Sequence, residues 1–267
     1  SLKAMRLFLL SMTQYLTFLR ADSVISLSQH GKNIIQQTRF LNSQKISVIS
    51  HGVNRRFYEK PRPQHDISTF DNTHRLHLVY ISPIEPYKHH EKVIAAVAGL
   101  RRRFGWPLQL TLAGLATARR SRALAEIIAV HDPADEWISF KGFIPFDQID
   151  TIVKQADIGI FASSCEACPN IVIEYMAAGL PIASSHDGPM PEVLDEGAVY
   201  FDPESSTEIE ATLATLIQSP DLRAAKAAIA FERAHDLTWA KCADLTFSVL
   251  ARTAVGRKTS GATATPE

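Results

Sequence analysis

Two acidic residues, Glu166 and Glu174, bracket the start of a helical pattern in a stretch that runs Phe161-Ala162-Ser163-Ser164-Cys165-Glu166-Ala167-Cys168-Pro169-Asn170-Ile171 and on to Pro181. The apolar run before it reads as a strand. Pro169 and Asn170 suit a first helical turn, and Gly179 with Pro181 just beyond suits the end. The first-turn N–H groups around Asn170 and Ile171, with the positive end of the helix dipole, make an anion site matched to a diphosphate. Carboxylates repel phosphate but accept hydrogen bonds well from hydroxyls, so Glu166 and Glu174 suit the sugar rings at either end of that diphosphate. This is the chemistry of a nucleotide sugar. Spacing alone leaves a second reading open, a solvated loop glutamate and a helix-surface glutamate, because exposed Glu is common.

The elements that must position these groups are regular. From Leu76 onward, strands are expected at 76–82, 108–113, 137–141, 157–162, 181–184 and 198–201, alternating with helices at 88–104, 119–131, 146–155 and 170–178. That alternation predicts an α/β protein with a Rossmann-like, mostly parallel sheet and helices on both faces. In such a sheet the loops at the carboxyl ends of strands form the ligand crevice, and the loop carrying Glu166 is one of them. Further helices are expected at 207–218, 221–235 and 239–253. Two short β-rich runs, 23–28 and 45–50, flank a helical stretch and read as the last unit of an earlier domain. The expected organisation is a remnant of an N-terminal domain over 1–54, an aperiodic Pro-rich and polar linker over 55–75, the nucleotide-sugar-binding domain over 76–236, a crossover helix over 237–255 and a disordered tail over 256–267. The chain starts at Ser1 directly in a helical pattern, and it is read as a fragment whose N-terminal domain is largely missing.

Composition narrows the function classes. The chain has 267 residues, 46% of them hydrophobic, and its formal net charge is zero, so no overall positive field holds nucleic acid. Three cysteines do not make a disulfide framework, which points to a reducing, cytoplasmic setting. Lys3, Arg6 and the run Leu7 to Leu10 imitate a signal peptide, but Gln14 interrupts the run and no small-residue cleavage site follows. Cys165 and Cys168 have the spacing of a redox site or of half a zinc site, with no second pair to complete a metal site. No P-loop and no nucleophile elbow is present.

Ser164 to Pro181, followed by Gly188-Pro189-Met190-Pro191-Glu192-Val193-Leu194, resembles the signature of glycosyltransferase family 4. The likeness includes Ala21-Asp22-Ser23-Val24-Ile25, Val48 to Asn54, Tyr80 to His89, Leu112-Ala113-Gly114 and Phe140-Lys141-Gly142-Phe143-Ile144, in the family's order. It implies a GT-B architecture, two Rossmann-like domains facing across a cleft, with the donor in the second. It also implies that Glu166 contacts the donor sugar's hydroxyls, that Glu174 holds the nucleotide ribose and that the Asn170 and Ile171 amides meet the diphosphate. Lys88 matches the family lysine that neutralises the diphosphate, so Glu166 and Lys88 are the catalytic residues of this reading. Gly142 and Phe143 match a loop that contacts the base. Gly188, Pro189 and Glu192 match a loop near the donor sugar. Ser82 and Pro83 stand where many members carry a glycine and an arginine, which leaves His89 or His90 to substitute as the basic group. For Lys88 the bland reading is a solvated first-turn lysine, and for Phe143 ordinary core.

The implied reaction moves a sugar from a nucleoside diphosphate donor to a hydroxyl of a glycan or lipid-linked acceptor, with retention at the anomeric carbon. No metal and no cofactor beyond the donor is expected. The setting implied is cell-surface polysaccharide or lipopolysaccharide assembly, in the cytoplasm or peripherally at the inner face of the plasma membrane. Two other readings stand beside it, a sugar-nucleotide-binding module without catalysis and a Cys165/Cys168 redox protein.

Overall fold

The computed structural model describes residues 2–39 and 42–261, with side chains over 4–38 and 42–255. The chain divides into two compact units, residues 1–52 with 239–267, and residues 53–238.

In the first unit, α1 (Leu2–Arg20) leads to β1 (Val24–Ser26), α2 (Gln29–Arg39) and β2 (Ile46–Val48). The two strands pair in parallel with Val24 opposite Ile46, and these residues with Phe18, Ala21 and Ile35 form a small core. The last helix, Trp239–Gly261, belongs to this unit, and its Thr253 hydroxyl lies 2.7 Å from that of Ser23. This helix runs past the expected limit at residue 255, so the expected tail 256–267 begins inside it, and residues 262–267 lie outside the described residues. Among the described residues no helix is long and apolar enough to cross a membrane.

The second unit alternates as β3 (Leu76–Ile81), α3 (His90–Phe104), β4 (Leu108–Ala113), α4 (Ala118–His131), β5 (Ile138–Phe140), α5 (Phe146–Gln155), β6 (Ile158–Phe161), α6 (Asn170–Ala177), β7 (Ile182–Ser185), α7 (Met190–Leu194) and β8 (Ala198–Phe201), closing with α8 (Ser206–Gln218) and α9 (Pro220–Ala234). The six strands form one parallel sheet in the order β5-β4-β3-β6-β7-β8. Leu76, Leu78, Val79 and Tyr80 of β3 and every residue of β6 are buried, the pattern of strands covered on both faces. Helix α3 packs on α4 and α8, and α6 packs on α5 and α9.

The chain reverses its direction of travel across the sheet between β3 and β6. Their register covers only Leu78 with Ile158 and Val79 with Gly159. Farther on, the Ile81 N–H donates to the Tyr175 hydroxyl of α6 at 3.0 Å. Tyr175 comes this close because Gly159 has no side chain; a Cβ there would sit 2.7 Å from its ring.

Two expectations need correction. The helix expected from Lys88 begins at His90, because Pro86–Lys88 forms a 3-10 turn and His89 breaks the run in a left-handed conformation at φ 47°. The segment expected as an interdomain linker over 55–75 is docked on the second unit. Phe57 is fully buried, the Glu59 N–H donates to the Ala177 carbonyl at 3.0 Å, and the Tyr58 hydroxyl donates to the Ala234 carbonyl at 2.8 Å. Gly179, at φ 64°, ends α6 directly against this segment, where a Cβ would lie 2.6 Å from the Pro61 nitrogen. Phe57→Ala should therefore cost about 3–5 kcal/mol in urea unfolding, as for a core phenylalanine; a free linker would show no change.

Candidate functional site

The loops beyond the strand ends are laced together by backbone hydrogen bonds. The Ser82 N–H donates to Ala113, Ile84 to Leu115 and Gly114 to Gly142, at 2.8–2.9 Å. The Ser164 N–H donates to the Tyr87 carbonyl at 2.9 Å, which joins the loop after β3 to the loop after β6. Between these loops and the start of α6 lies a cavity of about 360 Å³. Lys88, Phe143, Glu166, Asn170, Ile171 and Glu174 all line it. Residues far apart in the sequence are thus brought to one place by the strand order.

Lys88 is not a solvated lysine. It is 6% exposed, its carbonyl accepts from the Tyr80 hydroxyl at 2.7 Å, and its ammonium stands 4.9 Å from the Phe161 ring centre. The ammonium donates to Glu166 Oε1, which also accepts from the Ser163 hydroxyl at 2.6 Å. Desolvation of two charges offsets much of their mutual attraction, so the pair is weak evidence for stability. Its chemical meaning is a cation and a carboxylate held ready at one cavity wall.

Glu174 differs. It is 7% exposed, and among the described residues no donor meets its carboxylate. Burial lifts its pKa to about 7, Arg56 pulls it down and Asp150 pushes it up. A buried carboxylate with unspent acceptor capacity facing a cavity is suited to ligand hydroxyls. Beside it, α6 opens at Pro169 with no side-chain cap, and Asn170 and Ile171 of its first turn line the same cavity.

Phe143 is 64% exposed at the cavity, so it is not ordinary core, and Leu115 and Phe146 are exposed beside it. Exposed apolar groups in a cavity suit a flat ring. Gly142, Gly188 and Pro189 do not line the cavity. The Gly142 carbonyl holds the Gly114 N–H, Gly188 lies against the Glu166 backbone, and Pro189 caps α7. Glu192 is an exposed first-turn residue of α7.

His89 and His90, the two basic residues offered as substitutes for a missing arginine, do not line the cavity. His90 is 2% exposed, stacks on Tyr80 at 4.7 Å and lies 3.1 Å from the Ser82 hydroxyl. Burial, and then the charge of Lys88, push its pKa down to about 3, so it is neutral near pH 7. His89 is also buried and bonds the Ser164 hydroxyl at 2.9 Å. Sequence reading missed Arg56, whose guanidinium stacks 4.0 Å from the Phe146 ring centre and acts electrostatically on Glu174. Its one local signal is Asn54, whose side chain accepts from the Arg56 N–H at 3.1 Å and fixes the turn. Cys165 is exposed and Cys168 buried, both as free thiols.

A family model described as glycosyl transferases group 1 matches residues 62–233. The chain is 26% identical over 214 residues to D-inositol 3-phosphate glycosyltransferase of Corynebacterium efficiens, which covers 74% of this chain and 49% of that one. It is 23% identical over 112 residues to O-antigen chain mannosyltransferase B of Escherichia coli, covering 42% of this chain and 29% of that one. The crystal structure of Anabaena HepE in complex with UDP shares the fold, with a TM-score of 0.74 at 20% identity over 87% of this chain and 64% of that chain. This chain thus spans half or less of the length of these two curated relatives, and its parallel six-stranded sheet is of the GT-B glycosyltransferase type. With the family match extending over most of the chain, it belongs to the glycosyl transferases group 1 family.

Proposed function

We propose that this chain forms the donor-binding half of a retaining glycosyltransferase of family 4 type, which moves a sugar from a nucleoside diphosphate sugar to a hydroxyl of a glycan or lipid-linked acceptor. The observation that carries this reading is the cavity in which the start of α6, the Lys88–Glu166 pair and the donorless Glu174 carboxylate meet. The similar HepE fold has been solved with UDP and with UDP-glucose, and the two curated relatives bear the names of sugar transferases. The name of the Escherichia coli relative also supports a setting in cell-surface polysaccharide assembly.

On this reading the donor splits the resting ion pair. The Lys88 ammonium turns to the diphosphate and neutralises charge as the phosphate departs. Glu166, released from Lys88, accepts from hydroxyls of the sugar, and Glu174 accepts from the ribose. Asn170 and Ile171 present N–H groups to the diphosphate, while Phe143 lies along the base. Catalysis by this half is then positioning and charge stabilisation. The cytoplasm, or the inner face of the plasma membrane, is the proposed location.

One observation favours a second reading, a sugar-nucleotide-binding module: the chain covers 49% of one relative and 29% of the other. Calorimetry with UDP, GDP and ADP sugars, followed by a turnover assay, separates the two. Binding with turnover supports the transferase, binding alone supports the module, and no binding to any of them sinks both. Glu174→Ala should weaken binding of every sugar on one base by about ten- to hundredfold, the loss expected for hydroxyl bonds to a charged acceptor. Glu166→Ala should weaken binding by a factor that changes with the sugar.

The pH dependence has a defined sign. Between pH 4.5, the ordinary value for Glu174, and about 7, its value in the folded chain, the native state keeps a proton that the unfolded chain has lost. Stability therefore falls as pH rises through that window, and above it the ionised group costs on the order of 3 kcal/mol. Glu174→Gln should raise the melting temperature of the ligand-free protein at pH 8 and change it little at pH 5. Hydroxyls donating to the carboxylate favour its charged form, so binding at pH 6.5 should release a fraction of a proton. Calorimetry in buffers of different ionisation heat reads that release, which Glu174→Gln should abolish.

A further inference from the structure

A second cavity, of about 330 Å³, opens at the amino ends of β4 and β5, at the opposite end of the sheet from the site described above. Ala98, Arg101 and Arg102 line it from α3, Val130 and His131 from the end of α4, and Trp137 from just before β5. Positions i, i+3 and i+4 of a helix share one face, which is why Ala98 and the two arginines arrive together. From His90 at the start of α3, beside Lys88, the helix runs roughly 16 Å to reach Arg101. The volume lies within the range of small-molecule sites.

Cations in the last turn of a helix offset the negative end of its dipole, and part of this cluster has local work of that kind. Arg101 donates one N–H to the Leu108 carbonyl at 2.6 Å, and its guanidinium stands 5.2 Å from the Trp137 ring centre. Arg103 faces Glu210 of α8 at 3.8 Å and does not line the cavity. Two cationic or donor groups are left over. Among the described residues, no acceptor meets the Arg102 guanidinium and no hydrogen-bond partner meets the His131 ring. The Trp137 indole N–H likewise meets no acceptor there. The nearby acids do not compete. Asp132 is buried, and its carboxylate accepts from the Glu136, Trp137 and Ile138 N–H groups at 2.8–3.0 Å. Glu136 is exposed and outside the lining, and its carbonyl accepts from Arg75, which brings a further cation next to Trp137. The cavity therefore presents hydrogen-bond donors and apolar surface, with no carboxylate among its lining residues.

We propose that this cavity is a second ligand site, for a small phosphate monoester, with Arg101, Arg102 and His131 on the phosphate oxygens and Trp137 and Val130 against the body of the molecule. The planar fork of arginine matches the oxygens of a phosphate. Two forks on one helix face, with a third donor from a second helix, suit a tetrahedral dianion better than a flat carboxylate. The proposal stands apart from the nucleotide-sugar reading, because the two cavities share no lining residue.

The probe is glycerol 2-phosphate, titrated into the full chain at constant ionic strength and followed by the indole N–H signals in heteronuclear NMR. Trp137→Phe identifies the Trp137 signal among the three tryptophans. That signal should shift saturably while the Trp239 signal stays in place. Arg102→Met, at an exposed position, should weaken binding roughly tenfold, as for loss of a charge-assisted hydrogen bond. Arg102→Lys should recover part of the loss, since charge returns without the fork. Arg119→Met removes an equally exposed arginine of α4 outside the cavity and should change nothing. Glu174→Ala, which alters the donor cavity, should bind the probe as the wild type does, so this result is independent of nucleotide-sugar binding. A shift that follows any added salt without saturating, an affinity untouched by Arg102→Met, or tighter binding of succinate than of glycerol 2-phosphate overturns the proposal. Far-UV circular dichroism checks the fold of each variant, and Arg102→Gln carries the comparison if Arg102→Met does not fold.

Discussion

The parting of β3 and β6 beyond Val79 and Gly159 is the constraint on which the site depends. Two neighbouring strands whose connections leave in opposite directions open a crevice at their carboxyl ends, which the Ser164 N–H to Tyr87 carbonyl bond spans at one point. The backbone cost is met locally. Tyr175 takes the Ile81 N–H, and its ring sits over Gly159 in the only space a missing side chain provides there. That arrangement brings the start of α6 to the crevice. Lys88 and Glu166 then close the distance between the two departing loops, each held from behind, one by Tyr80 and the other by Ser163.

Much of this was legible in the residues. Strands over 108–113 and 198–201 and the helix over 146–155 have the expected bounds, because apolar runs and helical periods in a parallel sheet are strong local signals. The motif residues Lys88, Glu166, Asn170, Ile171 and Glu174 share one cavity. What escaped was long-range. Arg56 meets Phe146 across ninety positions, and no local pattern encodes that contact. The segment after Asn54 looked like a linker because its Pro and polar residues carry no period, yet Phe57 anchors it in the core. The charge state of His90 depends on its burial beneath Ser82 and against Tyr80, a fact of packing that composition does not carry.

The energetics of the cavity run against stability. Glu174 is a buried carboxyl whose pKa burial raises, and desolvation offsets much of the attraction in a buried pair such as Lys88 and Glu166. Such groups persist where the surrounding core is ample. Here Leu76, Leu78, Leu110, Ile158 and Ile160 are wholly buried beneath them. The sheet supplies the surplus that the crevice uses, which is a common relation between a scaffold and its site.

The small polar side chains at the strand ends have a consequence of their own. The Ser185 hydroxyl, on β7, donates to the Ser163 carbonyl at 2.7 Å, and the Ser163 hydroxyl donates to Glu166. The seat of Glu166 is therefore inherited from a neighbouring strand through two buried hydroxyls. A replacement at position 185 would tilt that seat without touching the carboxylate, so the aim of Glu166 into the cavity is set by a residue that does not line it.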